Sequence, residues 1–329
     1  MRDTGAGGLQ LDRRFLALTV SQILILRALG LGDFLTAVPA CRAVRAAFSQ
    51  ATVTLAAPAY LRPVVRLTGA IDKLRPTTGL GQLRGDQSAP DLAVNLHGAG
   101  PQSIDDLLAT GPLRLITHHS PVRPRIEGPR WEADLHEVRR WLRLLELSGV
   151  PVDGAELRLR APDVASPVPH AIVIHPGAAS PARRWPAERF GEVACRLRKD
   201  GHSVVVTGTE AEHPAVRTVV RVGRLPACSD LCGTLDLAQL AALVASARLV
   251  ISGDTGIAHL ASAYGTASAV LFGTTPPQLW GPPADGPHTV LWHGRTGDPH
   301  GLDPDPGLLS IDVEEVIGAA VQRLGQRPE

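Results

Sequence analysis

Lysine is almost absent from this chain of 329 residues: Lys73 and Lys199 are the only two, and arginine carries nearly all of the positive charge. Where arginine is the default surface cation, no single Arg marks a site on its own. An excess of either sign is also missing. The net charge of +1 excludes a generic nucleic-acid binder, which would show a basic surplus. Long apolar runs are lacking too, since no stretch reaches the roughly 18 apolar residues of a membrane span. Residues 15–26, after Arg13 and Arg14, imitate a signal peptide. No small-residue cleavage site follows, and the run leads straight into a glycine turn, so it reads as a lead-in plus a first buried strand. Cysteine is scarce. Cys228 and Cys232 are joined by no second close pair and no histidines at ligand spacing. With Cys41 and Cys195 they read as free structural thiols in a reducing cytoplasm rather than a zinc site.

What is present is the make-up of a folded chain, 44% hydrophobic and 20% charged, long enough for two domains with cores of their own. Short apolar runs at 23–26 (ILIL), 51–57, 91–96 and 113–117 predict buried strands, and 38–48 a helix. Apolar residues at helical spacing over 131–149, stopping at Gly149, predict another helix. Residues 150–169 hold several prolines and little periodicity. The alternation then restarts, with strands at 171–177, 202–208, 248–254 and 268–273 and helices at 188–199, 236–247, 255–264 and 312–324. The expected organisation is an N-terminal extension over 1–20, an acceptor-side α/β domain over 21–150, a linker over 151–169, and a second α/β domain over 170–329. Two doubly wound parallel sheets facing a cleft follow from that order. Ligands in such sheets sit at the carboxyl ends of strands.

Three strand-end loops carry chemistry. In RALGLGDFLTAVP (27–39), Gly30 and Gly32 permit a tight turn and close approach of a ligand. A dinucleotide fingerprint would need a third glycine where Leu35 stands, and an acidic residue where the second strand ends in Leu55-Ala56-Ala57-Pro58. Asp33 stands at the start of the helix, either as its cap or as a cleft carboxylate. In HPGAASPARRWPAERF (175–190), Arg183 and Arg184 suit a phosphate, or form a solvated pair. In VISGDTGIAHLASAYG (250–265), Asp254-Thr255-Gly256 opens a helix with His259 one turn in. A helix start offers unpaired N–H groups and partial positive charge, a natural seat for a diphosphate. Thr255 adds a hydroxyl and Gly256 leaves room. The α/β alternation excludes the aspartic-protease reading of Asp-Thr-Gly.

Taken in this order, the loops resemble the ADP-heptose heptosyltransferases of glycosyltransferase family nine. The resemblance rests on Gly32-Asp33, Arg183-Arg184-Trp185-Pro186, Asp254-Thr255-Gly256-Ile257-Ala258-His259, and Phe272-Gly273-Thr274-Thr275 with Gly281-Pro282. It spans most of residues 23–282 and implies the two-domain GT-B fold. It also implies roles. Asp33 matches the general base that takes the acceptor's proton. Arg183 matches a basic residue, usually lysine, at the donor diphosphate. Thr255, Gly256 and His259 match the diphosphate seat, and Asp254 a position near the donor sugar. By a looser alignment Glu210 holds the ribose and Leu235 lines the adenine pocket. Gly32 lies on the acceptor side with the loop 95–102, where His97 and Gln102 read an acceptor or satisfy the loop backbone. That loop matches nothing in the lipopolysaccharide enzymes and leaves the acceptor open.

The implied reaction is an inverting, metal-independent transfer without a cofactor, from a nucleotide sugar (ADP-heptose by resemblance) to a hydroxyl of a glycan or small molecule. Asp105-Asp106 falls in a helix region on the acceptor side and is not read as a metal site. The expected partners are the donor and acceptor alone, with no nucleic acid and at most peripheral membrane contact. A monomer in the cytoplasm, at the inner face of the membrane, fits that picture. Two rivals stay open: a non-catalytic sugar-nucleotide or glycan binder on the same fold, and a dinucleotide-dependent oxidoreductase or epimerase.

Overall fold

The computed structural model describes residues 20–83 and 88–325. The expected extension over 1–20 lies outside them except for Val20. The first half builds a five-stranded parallel sheet from β1 (Gln22–Leu26), β2 (Thr52–Ala57), β3 (Lys73–Pro76), β4 (Leu92–Asn95) and β5 (Arg114–Ile116), in the order β3-β2-β1-β4-β5. β1 is central, with Leu24 opposite Thr54 on one side and Ala93 on the other. The second half repeats the plan with β6 (Ile172–His175), β7 (Val204–Val206), β8 (Leu249–Gly253), β9 (Ser268–Leu271) and β10 (His288–Leu291), in the order β10-β9-β8-β6-β7. β4, β6, β7, β8 and β9 are apolar and buried on nearly every residue, as parallel strands covered on both faces must be. β3 escapes the sequence pattern because it is an exposed edge reading Lys-Leu-Arg-Pro, where proline is tolerated.

Helices cover both sheets. The first half contributes α1 (Leu31–Ala47), α2 (Arg62–Leu67), α3 (Pro101–Leu108) and α4 (Glu137–Leu147). The second adds α5 (Ala187–Lys199), α6 (His213–Gly223), α7 (Leu237–Ser246), α8 (Gly256–Tyr264), α9 (Pro277–Trp280), α10 (Pro306–Leu309) and α11 (Val313–Gly325). Two starts differ from expectation. α1 begins at Leu31, ahead of the 38–48 run though with Asp33 at its start as expected, and carries Pro39 inside it. An internal proline forfeits one backbone bond, which this helix tolerates while Phe34 through Val44 are buried along most of its length. α4 begins at Glu137, not 131, because Arg140 turns back and donates to the carbonyls of Glu132, Ala133 and Leu135. That clamp folds residues 131–136 into a turn. Gly149, at φ +83°, ends the segment as expected.

The two halves share apolar core. One buried cluster runs from Ile23, Phe34 and Leu55 through Ile257 and Leu260 to Leu243 and Val250. α1 packs on α8 and α2 on α7, so the halves meet helix to helix. Residues 150–171 form no helix or strand. They are stitched to both halves: the Leu159 N–H donates to Ala263 (2.9 Å) and the Arg160 N–H to Leu67 (3.0 Å). No helix among the described residues is long and apolar enough to cross a membrane.

Candidate active site

In open parallel sheets a ligand binds where the strand order reverses, outside the carboxyl ends. The reversal falls between β1 and β4 in the first sheet and between β6 and β8 in the second. At those two points lie Asp33, at the start of α1, and the loop residues His97, Arg183 and Asp254-Thr255. The topology thus selects the strand-end loops that the sequence singles out.

Asp33 lies in the first turn of α1, and the backbone N–H groups of Gly30 and of Asp33 itself hydrogen-bond its carboxylate. It is held from behind by Arg27, which is 1% exposed. The Arg27 Nε donates to the Asp33 carbonyl at 2.9 Å, and its Nη2 reaches the Asp33 carboxylate at 3.4 Å and that of Glu137 at 2.9 Å. About a third of the Asp33 side chain (34%) stays accessible. Loss of solvent around it still raises its pKa, against the Arg27 charge that lowers it and with Glu137 adding to the rise. Tyr60, in the turn after β2, brings its hydroxyl beside the Leu31 backbone and Asp33.

Across the seam, α8 starts at Gly256 with Thr255 as an N-cap whose side chain makes no capping bond. The helix start is therefore open to an anion. Arg183 approaches it from the loop after β6. Its Nη1 donates to the Asp254 carbonyl at 3.5 Å, and its Nε is buried without a partner. A buried guanidinium nitrogen left unpaired is costly unless a ligand fills it. Arg184 differs: it is exposed and binds the Ala178 carbonyl at 2.9 Å. Trp185 is structural, buried against Phe190 with its indole N–H on the Ile311 carbonyl. Burial pushes the Asp254 carboxyl up to about 6, with Arg183 opposing and Asp33 adding. Burial likewise lowers His259 to about 4, so its ring is neutral near pH 7, 3.7 Å from Asp254.

The two helix starts touch. A Cβ added at Gly32 would sit 2.8 Å from the His259 ring, and one at Gly256 would sit 3.1 Å from the Leu31 Cβ. Gly32, Asp33, Asp254, Thr255, Gly256, His259 and Arg183 therefore form one group at the seam.

The remaining candidates lie apart. Glu210 is exposed in a turn after β7, against Gly233. Its neighbour Glu212 packs on Gly177 and closes a capping box with Thr209. Leu235 is half-buried just before α7. The His97 ring accepts the Ala28 N–H at 3.2 Å, so it holds the end of β1. Gln102 curls over Gly100. Asp105 pairs with Arg123, and Asp106 accepts the Gly81 N–H. The spacing Asp303-Pro304-Asp305 has the Asp-x-Asp form of a metal motif, but Asp305 caps α10 through the N–H groups of Gly307 and Leu308. No group of three or more His, Cys, Asp or Glu among the described residues could hold a metal. All four cysteines are free.

Sequence reasoning assigned no role to Arg27, Tyr60, His136 or Glu137. Arg27 stands in the first loop but is one arginine among many, and Glu137 lies 110 residues further on. Only the fold brings them together.

Residues 132–298 match the family model described as glycosyltransferase family 9 (heptosyltransferase). Lipopolysaccharide heptosyltransferase 2 of Escherichia coli K12 is 30% identical over 111 residues, 32% of either protein. Lipopolysaccharide heptosyltransferase 3 of the same strain is 30% identical over 160 residues, 47% of this chain and 46% of that one. The matched part thus spans about a third to a half of these relatives. The fold extends the likeness. A family 9 glycosyl transferase from Veillonella parvula superposes with a TM-score of 0.76 at 20% identity, over 93% of this chain and 98% of that one. The E. coli ADP-heptose LPS heptosyltransferase II gives 0.74 at 21% identity, over 92% and 98%. The architecture is the GT-B type of these neighbours.

Proposed function

The chain belongs to glycosyltransferase family 9, and on that premise we propose that it transfers a sugar, with inversion, from a nucleotide-diphosphate donor to an acceptor hydroxyl. The observation that carries this reading is the meeting of an accessible carboxylate, Asp33, with an uncapped helix start and an unpaired arginine nitrogen at one seam. Asp33 accepts the acceptor's proton as the oxygen bonds to the anomeric carbon. The bond from that carbon to the diphosphate oxygen breaks, and the nucleoside diphosphate leaves. The α8 N–H groups, Thr255, His259 and Arg183 meet its growing charge, an electrostatic role that needs no divalent metal.

The relatives support heptose as the sugar and ADP as the carrier, since solved neighbours include a heptosyltransferase with ADP and an ADP-heptose enzyme. Glu210 and Leu235 are proposed to flank the ribose and adenine, with Gly32 and Gln102 on the acceptor side. The acceptor is a glycan or small-molecule hydroxyl, the division at residues 150 and 170 separates acceptor from donor domain, and the chain works as a monomer at the inner face of the membrane. A donor screen read by released nucleotide tests this. Turnover of ADP-heptose, with ADP rather than UDP or GDP raising the melting temperature, is expected. Stabilisation by NAD alone would overturn the proposal.

A further inference from the structure

The geometry points to Glu137 as a positioning residue for the Asp33 carboxylate, acting through the Arg27 guanidinium that bridges the two. This rests on the reading of Asp33 as the base. Glu137 opens α4 and is buried, and three donors converge on its carboxylate. They are Arg27 Nη2 at 2.9 Å, Arg140 Nε at 3.0 Å and the Trp141 indole N–H at 3.0 Å. Trp141 also lies under Arg27, 4.8 Å from its guanidinium carbon. Arg27 is further fixed by the carbonyls of Asp33 and Leu96. A buried ion pair of this kind is weak evidence for stability, because desolvation offsets its attraction. Its consequence here is placement.

The distances state that consequence. The same Nη2 is close to Glu137 and 3.4 Å from Asp33. Glu137 takes the strong bond of Arg27 and leaves Asp33 only a long contact with that guanidinium, so that the base keeps an accessible, basic oxygen. Without the Glu137 charge, Arg27 is free to close on Asp33 as a full ion pair. That would favour the carboxylate and weaken it as a proton acceptor. His136, the residue before, puts its Nε2 3.0 Å from the Gly281 carbonyl of the second half. The start of α4 therefore touches both the base network and the opposite wall. Other groups facing Asp33 are Tyr60 from the turn after β2 and Asp254 from the turn before α8, with His259 over the adjoining Gly32.

The test needs no substrate. Carbon-13 NMR of the aspartate carboxyls is followed against pH, with the Asp33 signal assigned by its loss in Asp33→Asn. In Glu137→Gln the Asp33 midpoint is expected to fall below that of the unsubstituted protein. Glu137→Asp, which keeps the charge but retracts it from Arg27, should fall part of the way. Should Glu137→Gln fail to fold, Glu137→Asp decides the matter alone. An Asp33 midpoint that stays in place in a folded Glu137 variant overturns the proposal. The base reading fails separately if Asp33→Asn still releases ADP from ADP-heptose at the normal rate in the presence of acceptor.

Discussion

Two strand-to-helix turns meet at the seam, and they set their aspartates differently on the same plan. β1 leads into α1 and β8 into α8, each strand central in its sheet and each turn with one aspartate. In α1 the aspartate falls inside the first helical turn, where Arg27 holds it from behind and solvent still reaches it. In α8 the aspartate precedes the cap and is buried, so the helix start itself faces the cleft. A shift of a few residues along the chain thus separates the proposed proton acceptor from the proposed anion seat.

Short of removing the Asp33 carboxylate itself, the largest expected departure from that comparison comes at Arg183. Its alanine variant should bind ADP about 10- to 100-fold more weakly by calorimetry, the loss of a charge-assisted bond to phosphate. Arg184→Ala, which removes only an exposed arm over the Ala178 carbonyl, should leave affinity within about threefold.

Asp254 sharpens the contrast through pH. Its carboxyl is raised from 3.8 to about 6 in the folded protein, so its contribution is fully present below the unfolded value and lost as pH rises through the folded one. Asp254→Asn should therefore raise stability at pH 8, by on the order of 1–3 kcal/mol. The gain should vanish near pH 3.5, a difference that thermal melts at the two pH values would show.

Contact between the turns is tested at the glycines. Gly32→Ala places its methyl 2.8 Å from the His259 ring, and His259 is itself buried, so overpacking should cost about 1–3 kcal/mol in denaturant unfolding. Gly30→Ala meets nothing nearer than 3.7 Å and should cost less. The smallest effect is expected at His97. Its alanine variant frees the Ala28 N–H, costing about 1 kcal/mol of stability with little change in transfer rate.

The strands were legible because a parallel strand buried on both faces has to be a short apolar run, as at β1 and β8. The edge strands β3 and β10 were not, since an edge that is not fully buried imposes no such pattern. The three loops were legible as glycine turns and cation-bearing strand ends. Asp254, Thr255 and His259 come together as their spacing predicted, one turn of helix apart. The start of α1 was legible from Asp33 but not from the apolar run, which marks only 38–48 while the helix already begins at Leu31. The support of the Asp33 carboxylate was invisible for a different reason. Arg27 and Glu137 are 110 residues apart, and neither stands out in a chain where arginine is commonplace.

The division of labour between the turns is tested most directly by Asp33→Asn, with ADP affinity and sugar transfer measured on the same protein. The account predicts transfer reduced about a thousandfold and ADP bound as tightly as before. Undiminished transfer, or a loss of ADP affinity in step with the loss of transfer, would contradict it.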